Sequence, residues 1–483
     1  MSEKCQEAVS VAEFSHALPD AAYGVDQKKS DTAFVMQVEN TCTLPDFLRG
    51  LFRLLDELEV RYCVLHSWDQ LPDELHSDLD LAVHPKDKYK LPAVFERLRR
   101  KGYTCFQCLN HSVTGHFFVF YWAEGTKVKT AAVDLVFDHR RSGLILSTSE
   151  EMLDQRRRHG EFWIPSPEVE FAYLLAKKSW KGRAPAAQST RLKRLVETLG
   201  SAKAEKIAGE IFPGKWGKVA VQACLNESIA DDLVHARTKF WKTSWSRRPL
   251  KLMRYLGTQF FWGIRRCVQP TGILIAVLGP DGVGKSTVIA GLTETLKQGF
   301  WGRSRLFHWR PQTLFQKKDT GINLTPHAKP ARGKLLSMAY LSAFFMDYWV
   351  GYAVAIHPSL TRSNFVLFDR YFHDVVVDPL RYRYGGPTWF SKVLSRLVPE
   401  PDLVILLDAA GPSIFSRKEE LPVGEIERQR EAYQQLQFRR TRKIVIDTDR
   451  GIEPTVQSSS GAVAEFMRQR LGVRMRAWRA ATL

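Results

Sequence analysis

The sequence predicts an α/β protein of more than one domain: a C-terminal parallel sheet covered by helices, an N-terminal α/β domain and a helical connector between them. Three observations support this fold class. With 483 residues, the chain is too long for a single hydrophobic core. Its 44% hydrophobic and 25% charged residues are typical of globular proteins. From Ile273 onward, apolar strand-like segments alternate with helical ones, which is the pattern of a parallel sheet with helices on both faces.

Changes in composition divide the chain into four parts. Residues 1–40 are polar, lack the apolar segment of a secretory signal and are expected to be a disordered leader. Residues 41–165 form the predicted α/β domain. Residues 166–268 are helical in pattern and end in a basic, aromatic connector, and residues 269–483 form the C-terminal domain.

Hydrophobic periodicity predicts the elements of both α/β domains. In the first domain, the predicted helices are Phe47–Leu58 and Leu91–Lys101, and the predicted strands are Tyr62–Leu65, Leu79–Val83, Phe117–Trp122 and Ala132–Phe137. In the C-terminal domain, the predicted strands are Ile273–Leu278, Leu306–Trp309, Phe365–Phe368, Leu403–Leu407 and Lys443–Ile446. Most of these are continuous β-branched and leucine runs, as expected for strands buried on both faces.

The charge of the chain is strongly positive, because 70 lysines and arginines against 52 aspartates and glutamates give a net charge of +18. Such an excess favours polyanionic binding partners, which could be nucleotides, nucleic acid or an acidic membrane surface, and does not distinguish among them. The seven cysteines are scattered, and the one close pair, Cys105 and Cys108, lacks a second pair to complete a zinc site. Free thiols in a reducing cytoplasm are the simpler interpretation.

The connector at residues 237–266 interleaves basic and aromatic side chains. This composition fits a helix on an anionic membrane or one that grips single-stranded nucleic acid. The alternative is a helix between domains, with its aromatic residues packed inward and its basic residues solvated. A second segment, Leu335–Ile356, is nearly long enough to span a bilayer. Because it contains Asp347 and lies inside the C-terminal domain, we predict a buried core helix instead.

The strongest functional signal is a glycine-rich loop between an apolar strand and an amphipathic helix, in GILIAVLGPDGVGKSTVIAGL. It matches the phosphate-binding pattern G-x-x-x-x-G-K-[S/T] with Gly279, Gly284, Lys285 and Ser286. Glycines let backbone N–H groups approach phosphate oxygens, and the next helix directs its positive end at the anion. Lys285 can reach the β- and γ-phosphates, and the Ser286 hydroxyl can bind Mg²⁺.

The residues from 271 to 455 resemble the thymidylate kinase family of nucleoside monophosphate kinases. The loop GPDGVGKST, with Asp281, is similar to the loop of that family. The segment NFVLFDRY places Asp369, Arg370 and Tyr371 at a strand end, like the family's Asp-Arg-Tyr/Phe motif. Arg417 follows the strand of PDLVILLDA as the family's lid arginine does.

The resemblance implies an ATP-dependent phosphotransferase that uses Mg²⁺. The implied ATP-binding residues are Gly279, Asp281, Gly282, Gly284, Lys285, Ser286 and Thr287. The implied acceptor-binding residues are Asp281, Arg310, Arg370 and Tyr371, and Ser286 and Asp369 would hold Mg²⁺. The implied catalytic residues are Lys285, Asp369, Arg370 and Arg417, the last closing over the phosphates from a lid with Lys418.

The sequence indicates the phosphotransfer reaction more clearly than the identity of the acceptor molecule. In the segment FMDYW, Tyr348 stands where the family has an arginine that helps to read thymine. The segment HWRPQTL also lacks the family's glycines after Arg-x-Pro. We expect dTMP as the leading single acceptor, and another nucleotide, a nucleoside, or a phosphorylated sugar or polyol as alternatives.

A second group of residues lies in the N-terminal domain, where VLHSWDQLPDELHSDLDLAV contains Asp78 and Asp80 two positions apart. Carboxylates with this spacing share one face of a strand, and Asp134 lies in another apolar strand, AAVDLVF, that could pair alongside. Three such carboxylates suit a site for Mg²⁺. The arrangement resembles the nucleotidyltransferase superfamily over residues 50–180, although His66 stands where that family has glycine.

Three functions therefore follow from the sequence. The first is a kinase with an appended nucleotidyltransferase-like domain. The second is a nucleotidyltransferase acting through Asp78, Asp80 and Asp134, with the phosphate-binding loop in a regulatory role. The third is a non-catalytic nucleotide-sensing or membrane-docked protein. For the first, we expect a small-molecule phosphate acceptor, no nucleic-acid partner, a homodimer, and a cytoplasmic location with peripheral membrane contact through residues 237–266.

Overall fold

The computed structural model describes the chain from residue 42 to residue 480, with gaps at 111–114, 126, 142–143, 182–184, 213, 229–248 and 315–329. The predicted leader, 1–40, and residues 237–248 of the basic connector lie outside the described residues.

The N-terminal part is built on a mixed five-stranded sheet in the order β1-β2-β5-β4-β3. Strand β2 pairs with β5 in parallel, with Asp80 opposite Asp134, and the other neighbours pair antiparallel. The sheet strands are β1 Tyr62–Val64, β2 Leu79–Val83, β3 Thr104–Asn110, β4 Gly115–Glu124 and β5 Lys127–Val136. Two short hairpins follow, from β6 His139–Arg141, β7 Leu144–Ser147, β8 Arg157–His159 and β9 Phe162–Ile164.

In the described chain, three α-helices precede or lie between the strands β1 to β9, and further helices follow them. Helix α1 begins with Thr43 as its cap, since the Thr43 side chain accepts a hydrogen bond from the Asp46 amide. The helices of this half are α1 Leu44–Glu57, α2 Leu91–Arg100, α3 Ser149–Leu153, α4 Pro167–Lys181, α5 Ala186–Leu199, α6 Ser201–Ile211, α7 Trp216–Leu225 and α8 Pro249–Val268. Helices α4 to α7 enclose a core of their own around Phe171, Leu192 and Val221.

The C-terminal part is a five-stranded parallel sheet in the order β11-β12-β10-β13-β14. Its strands are β10 Ile273–Leu278, β11 Ser304–His308, β12 Phe365–Asp369, β13 Leu403–Asp408 and β14 Arg442–Asp447. Its helices are α9 Lys285–Leu296, α10 Lys334–Gly351, α11 His357–Thr361, α12 Asp374–Val377, α13 Thr388–Leu397, α14 Gly411–Arg417, α15 Val423–Gln434 and α16 Ile452–Ala480. A π-helical segment, Tyr352–Ile356, joins α10 to α11. Since β10 is the central strand, the glycine-rich loop that follows it lies at the middle of the sheet's carboxyl edge.

The two sheets share a hydrophobic core. One face of the N-terminal sheet contributes the buried residues Phe106, Val119 and Tyr121 to a hydrophobic cluster. The same cluster contains Leu292 of α9 and Val463 of α16. Phe106 fits against Gly299, where a β-carbon would lie 2.6 Å from its ring. Helix α16, which the sequence analysis did not predict, lies between the two sheets, so the halves are packed as one body over this surface.

The helix predicted from Leu335–Ile356 forms, but the prediction that it lies in the core is wrong for most of its surface. Leu341, Asp347 and Tyr348 are buried, whereas Leu335 is 84% and Leu336 54% exposed. The reason is geometric: the helix packs on one face of the sheet, where Leu341 and Tyr348 join the same cluster as Phe368, and its other side remains exposed. Among the described residues, α10 with its continuation to Thr361 is the one helix whose length and composition would allow it to cross a membrane, a property that core helices share.

Replacing Phe106 by alanine tests the shared core. We expect the free energy of unfolding to fall by about 3–5 kcal/mol, because the ring is fully buried between the sheets. Chemical denaturation followed by fluorescence and by circular dichroism measures this change. The control is Tyr89→Ala, since Tyr89 is 51% exposed and its loss should change stability little. An effect of Phe106→Ala no larger than that of the control would contradict the shared core.

Candidate functional site

The glycine-rich loop runs from the end of β10 to the start of α9 and has the backbone that a phosphate cradle requires. Gly279 has φ of 143° and a β-carbon there would lie 2.6 Å from the Leu407 carbonyl oxygen. Gly284, which precedes α9, has φ of 99°. Both conformations favour glycine. Ser286 and Thr287 are exposed on the first turn of α9, where helix amides and the helix dipole favour an anion.

Lys285 is buried beneath this loop and bends back toward it. Its Nζ donates to the carbonyl oxygens of Gly279 at 3.0 Å and Pro280 at 2.7 Å, and lies 3.5 Å from Asp281 Oδ1. Burial, together with the nearby Arg370 guanidinium, lowers the pKa of Lys285 to about 8. A phosphate placed over the loop would give this ammonium group a strong anionic partner.

Three cationic side chains contact the Asp281 carboxylate. Besides Lys285, its carboxylate pairs with Arg370 and with Arg381, both in close contact. Although burial opposes ionisation, Arg370, Lys285 and Arg381 hold the pKa of Asp281 well below its usual range. Arg370 is 3% exposed and also donates to Asp374 Oδ2 at 2.6 Å. Because several cations converge on one small carboxylate, the pocket can bind an anionic group such as a phosphate.

Asp369 ends β12, and its surroundings fit a magnesium ligand. Its Oδ2 lies 3.2 Å from His308 Nδ1, while its Oδ1 is buried with no hydrogen-bond partner among the described residues. Although burial opposes it, the hydrogen bond from His308 lowers the pKa of Asp369, so the carboxylate is charged at neutral pH. A carboxylate oxygen without a partner and the exposed hydroxyl of Ser286 are both oxygen ligands that Mg²⁺ accepts.

Arg310 is paired with the buried Asp347. Its Nη1 donates to Asp347 Oδ2 at 2.7 Å, and the fully buried Asp347 also accepts from the backbone amides of residues 312, 313 and 314. Asp347 therefore fixes the loop after β11. That loop carries Trp309, whose ring stacks on Tyr382 with centroids 4.2 Å apart, and the Tyr382 hydroxyl lies 3.4 Å from Asp374 Oδ2.

Two predicted site residues are placed elsewhere. Tyr371 was expected to bind the acceptor, but it is fully buried, packs on Tyr348 and Phe368 and donates its hydroxyl to the Pro399 carbonyl. Strand β12 ends at Asp369, two residues before Tyr371, and the chain then turns the Tyr371 ring into the core. Arg417 contacts Thr448 and pairs with Asp449 at 2.9 Å, so the structure does not bring it to the loop. Lys418 lies closer, since its Cβ is 3.0 Å from a β-carbon built on Gly282.

Arg381 and Asp374 belong to the site but were not predicted from the sequence. Asp374 begins helix α12, whereas Arg370, four residues earlier, precedes the helix with φ of 74°. Helical i, i+4 spacing therefore does not account for the pair. Arg381 follows in a 3₁₀ turn, Leu380–Tyr382, and nothing in its local sequence distinguishes it from the neighbouring Arg383. Its position beside Asp281 depends on the path of the chain between them.

The three acidic residues of the N-terminal part come together as expected. Asp78, Asp80 and Asp134 can place one carboxylate oxygen each within 4.8 Å of one another. Burial, and then the Asp80 charge, raise the pKa of Asp78. Three converging carboxylates are a donor set that suits a divalent cation.

A buried lysine that was not predicted already pairs with this cluster. Lys177 of α4 lies 2.5 Å from Asp80 Oδ1, and His66 Nε2 lies 2.8 Å from Asp80 Oδ2. Lys177 also lies 2.9 Å from His66 Nε2. Although burial opposes ionisation, Lys177 and His66 hold the pKa of Asp80 well below its usual range. The charge of Asp80 is thus balanced within the protein, and a metal ion there would compete with Lys177.

Known proteins match a part of this chain. A thymidylate kinase of Xanthomonas oryzae pv. oryzae is 29% identical over 154 residues, which is 31% of this chain and 62% of that protein. A probable thymidylate kinase of Caldivirga maquilingensis is 30% identical over 147 residues, which is 30% of this chain and 67% of that protein. The chain therefore spans less than two thirds of the length of the Xanthomonas relative.

A solved structure, the thymidylate kinase of Ehrlichia chaffeensis, covers 40% of this chain and 98% of that chain, with 19% sequence identity and a TM-score of 0.27. No family model matches the chain.

Removing Lys177 tests the balance of charge around Asp80. In Lys177→Met, Asp80 keeps a buried charge without its main partner, and we expect the free energy of unfolding at pH 7 to fall by about 3–5 kcal/mol. The loss should shrink as the pH falls below about 5, because burial then raises the pKa of Asp80 and the carboxyl becomes neutral. Denaturant titrations from pH 3.5 to pH 7.5 measure this dependence.

The matched control is the double variant Lys177→Met with Asp80→Asn, which removes the charge together with its partner. We expect it to recover much of the stability at pH 7 and to lose the pH dependence. A single variant whose deficit is the same at pH 4 and pH 7 would show that Lys177 stabilises the fold through packing alone.

Proposed function

The chain belongs to the thymidylate kinase family through its glycine-rich loop domain, and on that premise we propose that it is an ATP-dependent phosphotransferase. The observation that carries this proposal is the convergence of Lys285, Arg370 and Arg381 on Asp281, directly beside the loop. The proposed reaction moves the γ-phosphoryl group of ATP to an oxygen of the acceptor and releases ADP. The proposed acceptor is a nucleoside monophosphate or a related phosphorylated metabolite, with dTMP as the first candidate.

Each of these residues has a proposed part in the transfer. The loop amides and Lys285 would hold the phosphates of ATP, and Arg370 and Arg381 would hold an anionic group of the acceptor. Cations around the transferred group stabilise the negative charge that moves between oxygens. In the free protein, Asp281 keeps the two arginines aligned, so that little rearrangement is needed when a ligand arrives.

Bound Mg²⁺ would neutralise charge on the phosphates, and the residues that could hold it are Ser286 and Asp369. His308 would keep the Asp369 carboxylate oriented through the contact at Oδ2. Arg417 is paired with Asp449, so its proposed role in a lid requires that this exposed ion pair open. An exposed pair of this kind contributes little stability, so its opening would cost little.

The acceptor side of the site favours a planar group. Trp309, Phe344 and Tyr382 form an aromatic cluster at the loop after β11, and the Trp309 indole nitrogen is buried with no hydrogen-bond partner among the described residues. Tyr348 stands where the family's base-reading arginine was expected, is fully buried and donates its hydroxyl to the Trp309 carbonyl. We therefore propose that stacking, and not an arginine from α10, would recognise a nucleobase here.

A second candidate function is nucleotidyl transfer in the N-terminal part, and the observation that favours it is the convergence of Asp78, Asp80 and Asp134. Lys177 and His66 weigh against it, because they already engage both oxygens of Asp80. We place this activity second for that reason. Transfer of label from α-labelled ATP, lost in an Asp78→Ala, Asp80→Ala variant, would identify it.

Phosphotransfer is tested with γ-labelled ATP and Mg²⁺ against dTMP, other nucleoside monophosphates and sugar phosphates. We expect label in at least one acceptor and at least a hundredfold lower rate in Lys285→Ala. The control is Lys297→Ala, since Lys297 is exposed and pairs only with Glu294 in the next turn. Label that passes only to water, or full activity in Lys285→Ala, would sink the proposal.

Arg381 is expected to act in acceptor binding. For Arg381→Met, we expect the KM for the acceptor to rise at least tenfold with a smaller change in the KM for ATP, because the arginine pairs with Asp281, a proposed acceptor-binding residue. Steady-state rates over both substrate concentrations give these values. Arg383→Met is the matched control, as Arg383 is two residues away and donates to the Pro330 carbonyl. Equal KM values in the two variants would exclude Arg381 from the acceptor site.

The affinity for ATP should depend on pH through Lys285. Since the pKa of Lys285 is about 8 in the free protein, the side chain loses its charge as the pH rises above that value. We expect the Kd for Mg·ATP to increase between pH 7.5 and pH 9.5, up to about tenfold per pH unit. Calorimetric titration measures it. Lys178, whose pKa is also about 8, lies in α4, so Lys178→Met should leave the profile unchanged. A flat profile in the unaltered chain would contradict this assignment.

A further inference from the structure

Helix α8 lies on the surface and presents an apolar face to solvent. No side chain of Pro249–Val268 whose exposure the structure describes is buried. Seven large apolar residues are among the most exposed of the described chain, with exposed fractions from 45% to 75%. They are Leu250, Met253, Leu256, Phe260, Phe261, Ile264 and Val268.

The spacing of these residues places them on one side of the helix. At about 100° per residue, all seven positions fall within an arc of about 140°. The positions of Lys251, Arg254 and Arg265 flank that arc on one side, and Arg266 lies further around. The helix contains four basic residues and no acidic residue. An apolar stripe bordered by cations is the pattern of helices that lie in a membrane interface.

The hydrogen bonds that the structure gives between α8 and other described elements lie at its last turn, and the described residues leave its apolar stripe exposed. The Cys267 carbonyl lies 3.0 Å from His357 Nε2, and Arg266 donates to Ser363 Oγ at 3.3 Å. Arg266 also packs over the Trp262 ring at 5.3 Å. A helix that served only to join two domains would direct its apolar side to one of them, and α8 directs it to solvent.

We propose that α8 is a docking surface for an anionic phospholipid membrane, with its apolar stripe at the level of the acyl chains and its basic flank at the headgroups. The positive charge of α8 complements an anionic membrane and favours it over a second copy of the chain. A second copy of the same helix would bring basic flanks together with no acidic residue to offset them, whereas an anionic headgroup layer attracts each lysine and arginine. The net charge of +18 acts in the same direction. This function is independent of the phosphotransfer proposed above.

The test is co-sedimentation of the full chain with vesicles of phosphatidylcholine alone and of phosphatidylcholine with 30% phosphatidylglycerol. We expect binding to the anionic vesicles that weakens as salt rises from 50 mM to 500 mM, and at least tenfold less binding to neutral vesicles. In Phe260→Asp with Phe261→Asp, partitioning into anionic vesicles should fall at least tenfold, because two charges would enter the apolar layer.

The matched control is Leu335→Asp with Leu336→Asp, which makes the same charge change at two adjacent exposed apolar residues of α10. It should keep most of the binding, and thermal unfolding should be unchanged in both variants. Three results would overturn the proposal: no binding to anionic vesicles at 50 mM salt, equal losses in the two double variants, or a dimer in light scattering that only the α8 variant dissociates.

Discussion

The site depends on one electrostatic constraint: several positive charges must be kept together in a partly buried pocket while no ligand is bound. Lys285, Arg370 and Arg381 would repel one another if their charges were not balanced, and Asp281 and Asp374 supply that balance. Burial, and then Arg370, lower the pKa of Lys285, while Asp281, Asp369 and Asp374 favour its charged form. A phosphate bound over the loop would add a further anionic partner for Lys285, as the proposed function requires.

The N-terminal carboxylates also repel one another unless opposite charges are present, and there the converging charges are negative. There, three acidic side chains converge, and a buried lysine and a histidine balance the most deeply buried of them. Lys177 and His66 already partner Asp80, so an added cation would compete with them, whereas Ser286 and Thr287 remain exposed beside the glycine-rich loop. This difference is the physical reason for placing phosphotransfer ahead of nucleotidyl transfer.

The two halves are joined by the packing of α16 between two sheets. Phe106 and Tyr121 from one sheet and Leu292 and Val463 from the helices of the other share a single cluster. Helix α8 leads directly into β10, the strand that carries the loop, which belongs to the same cluster. The surface proposed for membrane docking and the proposed phosphotransfer site are thereby held in one body.

The sequence alone determined the elements whose signals are local. All five predicted strands of the C-terminal domain form, with bounds shifted by at most two residues. Burial on both faces holds for the inner strands β10, β12 and β13, whereas the edge strands β11 and β14 are largely exposed or half-buried. The glycine pattern of the loop likewise follows from backbone sterics. In contrast, the exposed sides of α8 and α10, the burial of Tyr371, the pairing of Lys177 with Asp80 and the approach of Arg381 to Asp281 were decided by the tertiary structure. The last three depend on partners 28 or more positions away, and no periodicity in a short window records which partner will be present.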